Sequence, residues 1–265
     1  MDINGKHILI TGAAGGIGSM LAQALAKAGA SLLLADRTSE SLEEIRAKID
    51  SSGARVKIAE ADLLDPSGPL KLAELAVQEG IDILVNLAGI MSFRLFQEET
   101  PESIERLFRV NTIAPMLLIN SILPYLLKKG SGRIVNVGSV YGSIAFPCFA
   151  SYSASKFAVR GLSEALRREL EGTGVGVTYV GPRYVKTPIN AGAVSRMSEA
   201  MKVNMDEPEV VAAAIVSAIE QDRSEQYIGF PESLFVRINA ILPALVDGSI
   251  RKQTPAIREY AAGTK

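Results

Sequence analysis

Tyr152 and Lys156 stand four residues apart in the run Tyr152-Ser153-Ala154-Ser155-Lys156. On a helix that spacing puts both side chains on one face, one turn apart. A phenol by itself titrates at about pH 10, too high for a useful base at neutral pH. A fixed cation beside it favours the phenolate and is expected to lower that value towards the working range. The pair therefore reads as a candidate acid/base. Ser139 precedes Tyr152 closely enough for a single loop to bring both into one pocket. Asn111 falls within an expected helix, and a core-facing amide there needs a polar reason, because an unpaired buried amide is costly.

The elements that must position these residues alternate in type. The apolar run His7 to Thr11 is followed by Gly12-Ala13-Ala14-Gly15-Gly16-Ile17-Gly18 and then a helical pattern to Gly29. Strand, glycine turn and helix set bare backbone N–H groups and a helix N-terminus against a phosphate, so this stretch reads as a dinucleotide site. A second strand, Ser31 to Ala35, ends in Asp36-Arg37. A carboxylate there can accept from the adenosine ribose hydroxyls and would repel a 2′-phosphate, which favours NAD. Arg37 pulls the other way, towards NADP. Helices are expected over about 40–51, 68–78, 152–170 and 207–220, and strands over 56–59, 82–86, 133–137, 176–180 and 226–229. Thr100 caps a further helix with Pro101 at its first position; this helix carries Asn111 and is expected to bend near Pro115 or Pro124. The alternation specifies an α/β fold: one Rossmann-like doubly wound domain over 1–265, with a parallel seven-stranded sheet flanked by helices on both faces. Ligands then sit beyond the carboxyl ends of the strands, where Gly12, Asp36, Asp62 and Gly89 all fall.

Composition narrows the chemistry. A 265-residue chain with a formal charge of −1 and no basic block gives nucleic-acid binding no electrostatic support. The single Cys148 excludes an intramolecular disulfide and a multi-cysteine zinc site, and the single His7 rules out a histidine triad or a multi-histidine metal site. His7 opens a strand and is read as structural; no metal is expected. No signal-peptide organisation and no run of about 18 apolar residues is present, so a cytoplasmic protein without a transmembrane span is expected.

Taken together, Thr11-Gly12-(x)3-Gly16-x-Gly18, Asp62-Leu63, Asn86-Leu87-Ala88-Gly89, Asn111, Ser139, Tyr152, Lys156 and Pro182…Val185…Thr187 resemble the short-chain dehydrogenase/reductase superfamily. The resemblance runs over nearly the full length and fits the shorter branch of about 250 residues. It implies an NAD(P)-dependent enzyme acting on CH–OH groups, with Tyr152 as general acid/base and Lys156 depressing its pKa and holding the nicotinamide ribose. Ser139 would position the substrate oxygen, Asn111 hold a water in a proton relay, Asp62 meet the adenine and Thr187 the carboxamide. It also implies a homo-oligomer, a dimer or tetramer. Three departures stand out. Leu87 replaces the second asparagine of the usual N-N-A-G, and Arg183 replaces the glycine of the usual Pro-Gly pair, where it could gate the pocket or touch the pyrophosphate. Gly12, Gly15 and Gly18 also fit the loop of the longer, sugar-nucleotide epimerase branch, against which the short C-terminal portion argues.

The surroundings of the site are apolar: Met91, Phe93, Leu95, Phe96, Ile144, Phe146 and Phe149 suggest a hydrophobic alcohol or ketone as substrate, lipid-like or ring-bearing. Residues 188–206, with Met197, Met201 and Met205, read as an adaptable lid or as ordinary helix packing. Residues 231–265 form an amphipathic extension in which Phe235, Ile238, Ile241, Leu242, Leu245 and Val246 recur at helical spacing. That face suits a subunit interface, a cover for the pocket, or contact with a membrane surface through 231–252.

Overall fold

The computed structural model describes residues 1–49 and 53–264. Seven strands, β1 (His7–Thr11), β2 (Ser31–Asp36), β3 (Val56–Glu60), β4 (Ile83–Asn86), β5 (Gly132–Val137), β6 (Val175–Pro182) and β7 (Glu225–Ile228), form one sheet in the order β3-β2-β1-β4-β5-β6-β7. Every pairing is parallel. The order reverses beside β1, and the crevice there, at the carboxyl ends of β1 and β4, is where a doubly wound sheet binds ligands.

Both faces of the sheet are covered, which is why its central strands read as unbroken apolar runs. One core packs Ile8, Ile10, Leu34 and Val135 against α1 (Gly16–Lys27) and α8 (Pro208–Glu220). The other packs Leu9, Leu84 and Ile134 against α3 (Gly68–Gln78) and α5 (Ala114–Lys129). Helix α2 (Ser39–Ile49) lies beside β3; the expected helix end at Ser51 falls outside the described residues. His7 opens β1, its Nδ1 bonding with the Glu79 carbonyl at 2.6 Å, as a structural histidine should.

Thr100 caps α4 (Pro101–Phe108), its hydroxyl accepting from the Ser103 N–H. The change expected near Pro115 takes the form of a π-helical turn, Arg109–Ile113, just ahead of that proline, before α5 begins. A π turn changes the carbonyl ladder locally, and this one carries Asn111 in the protein interior. Joined through this turn, residues Pro101–Lys129 make one helix long and apolar enough to cross a membrane. The expectation of no such stretch is corrected to that extent. Half of its 18-residue apolar window is buried within the domain, and Leu118, Ile119, Ile122 and Leu126 pack in the core on one face of the sheet.

Of the catalytic candidates, Tyr152 and Lys156 sit on α6 (Ala150–Glu169) and Ser139 on the turn after β5. Beyond β6 come α7 (Ala193–Ala200), inside the expected lid, and the extension, folded as two helices, α9 (Glu232–Ile241) and α10 (Pro243–Ala261).

The glycine loop shows which of its glycines are needed. Gly12 has φ +71°, and a Cβ there would lie 2.8 Å from Ala88 Cα. A Cβ on Gly16 would lie 2.6 Å from Thr187 Cγ2, and one on Gly18 would overlap the Gly12 carbonyl. Gly15 is exposed and has the roomiest site, so the loop is built on Gly12, Gly16 and Gly18. Gly18→Ala is expected to abolish tight dinucleotide binding and lower the thermal midpoint, whereas Gly15→Ala should keep both near wild type. Fluorescence titration with NADH and a melting curve read the two effects together.

Candidate active site

Two clefts of about 510 Å³ each open at the carboxyl ends of the strands. The first is lined by Gly12, Gly15, Gly16, Ile17, Gly18, Asp36, Arg37, Asp62, Leu63, Ala88, Gly89 and Thr187, all expected at a cofactor. Thr38, Ser41 and Arg106 also line it. The second contains Ser139, Tyr152, Lys156, Pro182 and Val185, and shares Ile17, Gly89 and Thr187 with the first. A ligand lying in both would run from Asp36 to Tyr152 past Gly89.

Residues of the first cleft fit a dinucleotide. Bare backbone approaches closely where a Cβ would collide, and the free N–H groups of the first turn of α1 face the same space. Asp36 terminates β2 with one carboxylate oxygen accepting from the Ala14 N–H at 2.9 Å and the other from the Arg37 N–H at 2.8 Å. It is thereby fixed against the glycine loop with acceptor capacity to spare. The Thr11 hydroxyl accepts from the N–H groups of Leu87 and Ala88, at 3.1 and 3.2 Å, and holds the β4 exit against β1. The Asp62 carboxylate shapes its own turn by accepting from the Leu64 N–H at 2.9 Å.

Two asparagines line neither cleft. Asn86 was expected at the cofactor, but it lines neither cleft. Its amide donates to Asn136 Oδ1 at 2.9 Å, and Asn136 in turn donates to Ser163 at 2.9 Å, so the pair ties β4 through β5 to α6. Asn111 also lies behind the clefts. Its Oδ1 accepts from the Ile90 N–H and its Nδ2 donates to the Ile90 carbonyl, both at 2.8 Å, with a further donation to Ser155 Oγ at 3.1 Å. Paired at both ends of its amide, it pins the segment after β4 to α6. This is the polar reason for a buried amide on that helix.

Around the proton-transfer pair, burial dominates the electrostatics. Lys156 is buried, donates from Nζ to the Val137 carbonyl at 3.1 Å, and lies 5.8 Å from the centroid of the Tyr152 ring. Loss of hydration lowers its pKa to about 8. The same burial raises Tyr152 to about 12, opposed by its hydrogen bond with Ser139. In place of the expected lowering, the phenol pKa is raised by desolvation, and the ammonium gives its bond to the Val137 carbonyl.

The second cleft is walled by aromatic rings. Tyr141 stacks on Phe146 at 5.2 Å and meets Tyr152 edge-on at 6.2 Å. Its hydroxyl donates to that of Tyr184 at 2.8 Å. Burial holds both phenols in the protonated form, Tyr184 rising to about 12. Met91, Ile144, Phe146, Met197 and Met201 line this cleft as expected. Phe149 is buried behind it, stacked on Phe93 at 4.6 Å, and Phe96 is exposed at the surface. Tyr141 falls in the segment Val140 to Phe149 that the sequence turns towards the substrate, whereas Tyr184 carries no such signal, although it lies inside the Pro182…Val185 motif. Thr38, Ser41 and Arg106 carried no spacing signal.

Arg183 does not turn towards a pyrophosphate. Its Nε and Nη2 donate to both oxygens of Asp206, at 3.0 and 2.8 Å, while Nη1 donates to Glu232 at 2.9 Å and to the Phe230 carbonyl at 3.0 Å. One side chain thus clamps the end of the 188–206 segment and the start of α9 to β6. Ion pairing keeps its pKa above the ordinary guanidinium value. Arg183→Ala strands two half-buried carboxylates, and a loss of about 1–3 kcal/mol in urea unfolding is expected.

The family model for short chain dehydrogenases matches residues 6–198. The ketoacyl reductase HetN of Nostoc sp. is 32% identical over 92% of this chain and 88% of its own. A short chain dehydrogenase/reductase of Burkholderia phymatum, solved in complex with NAD, superposes with a TM-score of 0.84 at 26% identity, covering 92% of this chain and 96% of that one. A short-chain dehydrogenase of Sphingobium yanoikuyae, solved with NADPH, gives 0.80 at 28% identity over 91% and 95%. With this sheet order, this glycine loop and this tyrosine–lysine helix, the chain belongs to the short-chain dehydrogenase family and is a dehydrogenase/reductase.

Proposed function

We propose that the protein interconverts a secondary alcohol and a ketone on a hydrophobic, lipid-like or ring-bearing substrate, with NAD(H) as the cofactor. The observation that carries this reading is the phenol of Tyr152, half-buried beside Ser139 and Lys156 in a cleft lined largely by aromatic and aliphatic side chains, with Arg183, Lys202 and Glu232 among its polar residues. The bound nicotinamide would supply or accept the hydride. Tyr152 gives its proton to the carbonyl oxygen in reduction and takes one from the hydroxyl in oxidation. Ser139 orients that oxygen, and Lys156 offers its charge from the adjacent turn. Asn111 and Asn86 hold the backbone that frames the site.

Asp36, fixed at the end of β2, supports NAD. Arg37 and Arg106 border the same cleft and would support NADP if the carboxylate turned aside. The ketoacyl reductase relative supports an acyl-type ketone among the candidates.

Following nicotinamide absorbance with a panel of hydrophobic alcohols and ketones, each with both cofactors, tests the reading. Tyr152→Phe should lower turnover by about 10²–10⁴-fold while keeping cofactor affinity; turnover equal to wild type would refute it. Because Tyr152 is protonated at neutral pH, reduction should stay level between about pH 6 and pH 8. Oxidation needs the phenolate and should rise with pH over the same range.

A further inference from the structure

Helices α9 and α10 meet at an elbow, Leu242-Pro243, whose apolar side chains are turned outwards. Phe230 is 73% exposed, Leu234 46%, Ile241 78%, Leu242 54% and Leu245 64%. On α9, Leu234 and Ile241 share one face by their spacing, while Val236 is buried against the body with Val246, Val140 and Ile144, and Ile238 packs against that same cluster. The outward face is therefore no misplaced core. It is also held rigidly: Asn239 donates to the Ser143 carbonyl at 2.9 Å, and Arg183 grips Glu232 at the other end of α9.

This patch is continuous with the substrate cleft. Phe235 and Leu245 line the cleft and are themselves exposed, so the apolar rim is the mouth of the site. The exposed charges beside it are Arg237 on α9 and Arg251 and Lys252 on α10, against Asp247, so cations predominate. A basic border round an apolar tip complements an anionic lipid surface, and it would set like charges near each other if a second copy docked there.

We infer that the α9–α10 elbow seats on an anionic lipid surface and that the substrate cleft takes its amphiphilic substrate from that surface. The second half rests on the hydrophobic-substrate reading above; the first does not. Apolar residues 234, 241 and 242 enter the headgroup boundary, and Arg237, Arg251 and Lys252 meet the lipid phosphates.

The chain has no tryptophan, so Leu242→Trp creates a single reporter. The full chain carrying it is mixed with vesicles of phosphatidylcholine alone or with phosphatidylglycerol, and binding is also read by co-sedimentation. A blue shift with the phosphatidylglycerol vesicles is expected, weakened by salt and by Arg251→Ala/Lys252→Ala. Ile241→Asp/Leu242→Asp should reduce co-sedimentation by about tenfold or more. NADH binding, measured in every variant, reports folding and tests the cofactor site separately. Emission unchanged by either vesicle, with NADH still bound, overturns the inference. So does a concentration-dependent dimer that Ile241→Asp/Leu242→Asp dissociates while vesicles have no effect, since the face would then be an interface between copies.

Discussion

Burying the ammonium of Lys156 is the constraint on which the rest of the site depends. A cation removed from water needs a strong acceptor or must lose its proton, and Lys156 meets this demand with the Val137 carbonyl at the end of β5. That bond registers α6 against the sheet and places Tyr152 one turn back, beside Ser139. It also sets a dependence on pH. Below about pH 8 the fold bears the full cost of a charged buried Lys156; as pH rises from about 8 to the ordinary lysine value that cost is relieved, because there the unfolded chain binds more protons.

Backbone proximity does the remaining positioning. Gly12 lies against Ala88, Gly16 against Thr187, and Gly89 faces Asn111 and Lys156. Side chains at Gly12 and Gly16 would collide there, whereas one at Gly89 would only touch its neighbours. The asparagines work one layer further back, each joining a strand exit to α6, so the catalytic helix is fixed to β4, β5 and the following loop by polar bonds that the apolar cores could not direct. At the opposite wall Arg183 replaces a small residue and joins three separate segments of chain, making that wall of the substrate cleft an ion-paired unit.

The strands were legible because a parallel sheet buried on both faces needs short apolar runs punctuated by polar or glycine ends. His7–Thr11 and Gly68–Gln78 fall where the residues placed them. Helical spacing placed the tyrosine and lysine on one face, and the glycine loop and the other motifs upstream made them legible as a site. What spacing cannot report is the balance of solvation. Whether an adjacent cation lowers a phenol's pKa depends on where the cation's own hydrogen bond goes, and in Lys156 it goes to a carbonyl. The π turn was legible only as a break near Pro115, which has no N–H for the Asn111 carbonyl; spacing does not tell that the ladder there takes the π form. Arg183 shows a third limit: a charge's partners, Asp206 and Glu232, lie far along the chain and come together only through the fold.

Titration of the Lys156 ζ-nitrogen by NMR, assigned with a Lys156→Arg variant, addresses the central claim directly. A midpoint near 8 is expected for the protein without cofactor, well below the ordinary 10.5. A midpoint at the ordinary value would mean that the ammonium is hydrated, and would contradict the account in which its burial organises the site.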